Sequence, residues 1–139
     1  MEYSGDNPED LSTAEPDYFV RKDGEVFAGT HVLLELWGAK YLNDPDYIKT
    51  VLEDAAKAAG ATILHSHLHH FSPSGGVTGV VMFAESHISI HTWPERDYAA
   101  IDIFMCGTCD PEDSVPVIEA RLAPERMETQ VIRRGRVEG

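Results

Sequence analysis

Basic residues are scarce in this chain. Lys and Arg number 11 against 24 Asp and Glu, a formal net charge of −13 over 139 residues. A nucleic-acid partner needs a cationic footprint, so no nucleic-acid binding is expected. The acidic balance suits solubility or a cationic small substrate. Long apolar runs are missing too: none approaches the roughly 20 residues that cross a bilayer, so no membrane span is expected. The opening MEYSGDNPEDLSTAEPDYF is acidic and polar, unlike a secretory leader, which makes the cytoplasm the expected compartment. Only two cysteines occur, Cys106 and Cys109, spaced as CGTC. In a reducing compartment that spacing points to redox or metal chemistry. The second CxxC of a zinc ribbon and the strand–helix setting of a thioredoxin motif are both absent. So is the G-x-S-x-G elbow of a serine hydrolase, and no internal repeat is present.

What is there fits one domain with a modest core. Residues 1–25 are rich in Asp, Glu, Pro and Ser and read as a mobile acidic arm, leaving 26–139 as the folded unit. HVLLELW (31–37) is strand-like. Asp44-Pro45 is a helix start, with Asp44 as N-cap and Pro45 at the first helical position. Ile48, Val51, Leu52, Ala55 and Ala59 then recur at helical spacing up to a stop at Gly60. Strand character returns at 61–71, 77–85, 86–92 and 99–106. Asp110-Pro111 opens a second helix running to about Leu122, which Pro116 should shorten or kink, and 127–133 is a last strand. The order β-α-β-β-β-β-α-β with short middle connections predicts an α+β fold. It is a two-layer sandwich, a largely antiparallel sheet with two helices on one face.

Reactive side chains crowd two of these strands. His65, His67 and His69 alternate, so a strand puts all three on one face. They read as zinc ligands or as polar residues on a wet sheet face. The second strand is ESHISIHTWPE (85–95), in which His87, Ser89 and His91 share one side and Ile88 and Ile90 the other. Taken alone, Cys106 reads as a buried small hydrophobe or as a working thiol, and Glu35 is a charge inside a strand with no evident role.

GVVMFAESHISIHTWPE followed by YAAIDIFMCG closely resembles the short prokaryotic form of the S-adenosylmethionine decarboxylase family, from about Gly29 through Val131 and most densely from Phe71 to Gly107. The resemblance implies a proenzyme that cuts itself between Glu85 and Ser86. The serine hydroxyl attacks the preceding carbonyl, and elimination of the ester leaves a pyruvoyl group made from Ser86, the chain's only cofactor. That group forms a Schiff base with the substrate amine and acts as the electron sink. By the same resemblance His91 is the processing base, Thr78 supports processing with its hydroxyl, and Cys106 is the proton donor of the decarboxylation. Phe71 stacks on the adenine and Glu95 binds the ribose hydroxyls. Cys109 and Ser89 match no functional position, and no metal is assigned. The substrate implied is the amino acid S-adenosylmethionine, a small molecule, and the product feeds spermidine synthesis. The processed α/β protomers are expected to pair as a homodimer whose sites draw on both chains, with Phe71 contributed across the interface. Ornithine or arginine decarboxylation on the same scaffold is the nearest alternative, and a histidine-rich metal-binding protein is the alternative outside catalysis.

Overall fold

Period-two alternation decides which face of each strand is covered. In β3 (Gly29–Trp37) Val32, Leu34 and Leu36 are buried, while His31, Leu33, Glu35 and Trp37 remain partly exposed. β6 (Ser86–Trp93) repeats the pattern with Ser86, Ile88, Ile90 and Thr92 inside and His91 and Trp93 outside. Together with β4 (Ile63–His70), β5 (Val77–Phe83), β7 (Tyr98–Met105) and β8 (Arg126–Arg134) they form a six-stranded sheet in the order β4-β5-β6-β7-β3-β8. Every neighbouring pair is antiparallel. The apolar side chains of one sheet face join α1 (Pro45–Ala58) and α2 (Val115–Leu122) in a single core. The other face carries no helix, and polar and aromatic residues such as His31, His87, Asp102, Trp93 and Tyr98 stand on it among aliphatic ones such as Leu33 and Met82. This is the expected two-layer α+β sandwich, seen in a computed structural model that describes residues 19–138.

α1 begins as its sequence predicts: the Asp44 carboxylate accepts the Tyr47 N–H at 3.1 Å, and Pro45 occupies the first turn. α2 departs from expectation. Pro111–Asp113 is a separate 3₁₀ turn, and the helix starts at Val115. Pro116 therefore sits in the first turn, where its missing N–H has no helical partner to lose, so it causes no kink. The hydroxyl of Ser114 donates to the Ala55 carbonyl at 2.6 Å and ties the two helices together.

The N-terminal boundary also shifts. Residues 1–18, most of the expected arm, lie outside the described residues, but β1 (Val20–Lys22) and β2 (Glu25–Phe27) form a hairpin across 20–25. Asp23 and Gly24, with φ 54° and 79°, make the tight turn that an Asp-Gly pair favours. Phe27 is fully buried, and Arg133 of β8 bonds both Asp23 (2.6 Å) and Glu25 (2.7 Å). An acidic composition concealed a hairpin whose charges are paired to a strand more than 100 residues away.

Thr92, the threonine of the HTWPE stretch, is buried and holds two loops. Its Oγ1 accepts the Val77 N–H and donates to the Leu42 carbonyl, each at 2.8 Å. Thr92→Val keeps the shape and leaves both backbone groups without a partner, at about 1–3 kcal/mol for each. The urea midpoint should fall accordingly, and Thr92→Ser should recover most of the loss. A Val variant as stable as the parent would show that these bonds contribute nothing net.

Candidate active site

The two-residue connection Ala84–Glu85 joins β5 to β6, and Phe83 faces Ser86 across it. A turn this tight needs one residue at positive φ, normally glycine or asparagine. Here Glu85 takes it, at φ 61°, a conformation that costs on the order of 1–3 kcal/mol in a residue with a side chain. Strain thus sits on the peptide unit directly before Ser86.

Cys106, just past the end of β7, contacts both sides of that peptide bond. Its backbone N–H donates to Ser86 Oγ at 3.2 Å, and its thiol donates to the Glu85 carbonyl oxygen at 3.1 Å. Ser86 is 8% exposed. Cys106 thus fixes the Ser86 hydroxyl through its backbone and polarises the Glu85 carbonyl through its thiol. Burial pushes the Cys106 thiol above the usual range, and the Glu85 carboxylate adds to the effect against the hydrogen bond from Ser86. The thiol therefore keeps its proton at neutral pH and remains a donor. Cys109 is raised by burial alone and lies against the core.

The remaining sequence candidates gather elsewhere. Thr78 on β5 faces His91 on β6, and Thr78 Oγ1 lies 3.1 Å from His91 Nδ1. Phe71, just beyond β4, is exposed against the His69 ring with centroids 4.4 Å apart. Glu95 is exposed in the 3₁₀ turn Pro94–Arg96. His91 is five residues along β6 from Ser86, roughly 16 Å at strand rise, and it occupies the helix-free face. The structure accordingly splits the seven residues in two. Glu85, Ser86 and Cys106 meet at one end of the sheet, while Thr78, His91, Phe71 and Glu95 lie towards the other. A base within reach of its own chain's Ser86 is not what this fold provides in His91.

Sequence reading missed a polar network on the helix-free face. Asp102 of β7 accepts from His31 Nε2 (2.7 Å), from His87 Nε2 (3.2 Å) and from the Ser89 hydroxyl. Ser89 and Asp102 are direct cross-strand partners, and the two histidines are diagonal neighbours. The one available signal was a charge at the centre of the apolar strand AAIDIFM. Glu35, without a role at the sequence level, accepts the Tyr98 hydroxyl, and that bond with partial burial pushes the phenol up to about 12. Glu35, Trp37, Trp93, Arg96 and Tyr98 line an open cleft of about 700 Å³. The His65 and His67 rings lie parallel with centroids 6.5 Å apart on the outermost strand. Among the described residues no group of three or more His, Cys, Asp or Glu side chains converges as a metal site, and no helix is long and apolar enough to cross a membrane.

Burial alone would raise the Asp102 carboxyl, but the bonds from His87, Ser89 and His31 outweigh it and hold the group well below the usual carboxylate range. A depressed folded pKa contributes stability above the unfolded value near 4, and that contribution fades as pH falls through the folded value. Urea midpoints measured from pH 6 down to pH 2 should therefore drop more steeply for the parent than for Asp102→Asn. Parallel curves would mean that Asp102 is no better solvated by its partners than by water.

Comparison with known proteins places the chain among relatives. A family model described as S-adenosylmethionine decarboxylase matches residues 30–135. A Methanococcus maripaludis protein named S-adenosylmethionine decarboxylase proenzyme is 52% identical over 110 residues, covering 77% of this chain and 89% of that protein. One of the same name from Thermomicrobium roseum is 40% identical over 110 residues, covering 78% and 95%. The crystal structure of the adenosylmethionine decarboxylase from Aquifex aeolicus VF5 is similar with a TM-score of 0.68 and 40% identity, covering 81% of this chain and 94% of that one.

Proposed function

The chain belongs to the S-adenosylmethionine decarboxylase family, and on that premise we propose that it cuts its own backbone between Glu85 and Ser86 and then decarboxylates S-adenosylmethionine. The observation that carries this reading is the grip of Cys106 on the strained Glu85–Ser86 peptide. Ser86 Oγ adds to the Glu85 carbonyl carbon, the C–N bond breaks, and the acyl group passes to oxygen as an ester. The thiol at 3.1 Å from the Glu85 oxygen steadies the charge that develops there. Leaving the left-handed turn releases the strain stored at Glu85. Removal of the Ser86 α-proton then breaks the Cβ–O bond, Glu85 departs as a carboxylate, and hydrolysis with loss of ammonia leaves a pyruvoyl group at position 86. The residues present fit that group: a serine hydroxyl at a strained junction, a donor on the scissile carbonyl, and burial against solvent.

A pyruvoyl group, once formed, supplies a carbonyl that holds the substrate through its amine and withdraws electrons as CO2 leaves. The chain's own residues do the rest. Cys106, beside position 86 and still protonated, is placed to return a proton to the carbon that has lost CO2. Phe71 offers a flat apolar face to the adenine and Glu95 two acceptor oxygens to the ribose hydroxyls.

The separation of His91 from Ser86 makes a single chain insufficient. A second copy, laid antiparallel on the helix-free face, would bring its Thr78 and His91 to the first copy's Ser86. The aromatic stripe of Trp37, Tyr98 and Trp93, with neighbouring centroids 5.8 and 5.3 Å apart, supplies apolar surface for such pairing.

Intact-mass spectrometry should resolve two fragments parted between Glu85 and Ser86, the C-terminal one without a free amine. Ser86→Ala should stay whole. Cys106→Ala, if processed, should lose turnover ~10²–10⁴-fold, and Cys109→Ala should keep it. A parent chain that remains intact after prolonged incubation would sink the reading.

Pairing is tested by complementation. Ser86→Ala and His91→Ala should each fail to cut alone. Co-expressed, the His91→Ala chains should be cut, because His91 comes from the other copy. Persistence of whole chains in the mixture would show that the two clusters do not meet across a dimer.

A further inference from the structure

Phe71 and Glu95 stand on separate connections of the sheet, and both are exposed. A nucleoside that stacks on one and bonds to the other needs their spacing fixed, because its base and ribose are joined by one bond and cannot follow two loops that move apart. Exposed side chains have little packing to hold them, so the spacing must be set through the backbone.

The Phe71 loop is closed on itself. Phe71 N–H donates to the Gly76 carbonyl at 2.7 Å, and Gly75 N–H donates back to the Phe71 carbonyl at 2.9 Å. Gly76 N–H donates to Ser74 Oγ at 3.2 Å. The loop is therefore one piece with Gly76 at its base. That base is seated on the segment that leads to Glu95. A Cβ built on Gly76 would stand 2.9 Å from the Thr92 carbonyl oxygen and 3.8 Å from Pro94 Cδ. The φ of Gly76 is not left-handed, so space, and not backbone freedom, calls for glycine here. One residue on, Val77 N–H donates to Thr92 Oγ1, and the same hydroxyl donates to the Leu42 carbonyl, each at 2.8 Å. Thr92 is buried, where such bonds are not exchanged for bonds to water. Glu95 follows in a 3₁₀ turn closed by the Asp97 N–H on the Pro94 carbonyl at 3.1 Å. Carbonyl and hydroxyl of one threonine thus hold the Phe71 loop, and the chain leaving that threonine carries Glu95.

We propose that Thr92 and Gly76 are positioning residues for substrate binding. Their contact sets the distance between Phe71 and Glu95, and with it the affinity for the adenosine part of S-adenosylmethionine. The inference rests on the adenine and ribose roles given above to Phe71 and Glu95. The contacts are internal to one chain and hold whether or not a second copy covers the helix-free face. Thr78 and His91 do not depend on them, because that pair belongs to the β5–β6 ladder that runs on to Phe83 and Ser86.

Gly76→Ala pushes the loop off Thr92, and Thr92→Val deletes both hydroxyl bonds. Thr92→Ser keeps them. Gly60→Ala is the control for lost stability: Gly60 ends α1 at φ 88° with nothing within 4 Å of its Cβ position, so alanine there adds strain alone. In processed enzyme, KM for S-adenosylmethionine should rise ~10-fold in Gly76→Ala and Thr92→Val, about 1.4 kcal/mol. The kcat should not change, because the binding lost is common to ground and transition states. Self-cleavage should keep the parental rate, and Thr92→Ser and Gly60→Ala the parental KM. A second arm needs no processing: calorimetry of 5′-methylthioadenosine, the nucleoside without the amino acid, on uncleaved Ser86→Ala protein. Its Kd should rise by the same factor in the same two variants. If Thr92→Val does not fold, Gly76→Ala carries both comparisons. Parental KM and Kd in these variants, or a rise that Gly60→Ala matches, would overturn the proposal. So would a loss of kcat or of self-cleavage at parental KM, which would assign the contact to the chemistry. A parent that binds the nucleoside but never cuts defeats the reading of Ser86 alone, and the Kd comparison still decides. A parent that binds no nucleoside defeats the roles of Phe71 and Glu95, and this inference with them.

Discussion

The register of β5 against β6 is the constraint on which everything else hangs. It pairs Phe83 with Ser86 and Thr78 with His91. Strand side chains alternate with period two, so a slip of one residue would carry Ile88 and Ile90 out of the core and His87, Ser89 and His91 into it. Both faces forbid that slip: one is closed by helices, and the other is tied by the bonds to Asp102. The short Ala84–Glu85 connection closes the same register and, in doing so, places a glutamate in the left-handed region. The strain at the peptide before Ser86 follows from a pairing that the apolar core enforces.

The two sheet faces divide the labour. The helix side is apolar, with buried Ile88, Ile90, Ile101 and Ile103 in its centre, and it makes the sheet rigid. The open side is a polar lattice whose members are held from neighbouring strands. Rigidity on one side is what allows distances of about 3 Å to be maintained on the other. Asp102 shows the trade. It is partly buried, which costs free energy, and three donors repay that cost by holding it ionised.

Charge needs care at this scale. The chain is strongly acidic overall, yet Glu25 and Asp23 are bonded to Arg133, and Asp54 to Arg121. Net charge describes the solvent-facing surface and its solubility. Local chemistry depends instead on where individual protons sit: that of the Cys106 thiol on the Glu85 carbonyl, and those of His31 Nε2 and His87 Nε2 on the Asp102 carboxylate.

Much was legible in the one-dimensional pattern. Alternation in HISIH, the Asp44-Pro45 start, the helical recurrence from Ile48 to Ala59 and the short middle connections are local signals, and each names its element because backbone geometry is local. The ESH…HT motif with Cys106 identified the family on the same basis. Other features were out of reach. The helix at Pro116 is shorter, as expected, and not kinked, because a proline's effect depends on its place within a turn. The hairpin at 20–27 was hidden because Arg133 neutralises it from the last strand. Asp102 went unnoticed because its partners come from other strands, and Glu35 had no evident role because Tyr98 lies on another strand. Residue identity and spacing thus determined which elements form and which chemistry the chain carries. Non-local pairing decided which of those groups meet. It set Cys106 against the Glu85 carbonyl across 21 residues and carried His91 away from Ser86 across only five, because an extended strand separates its residues as surely as a folded sheet brings distant ones together.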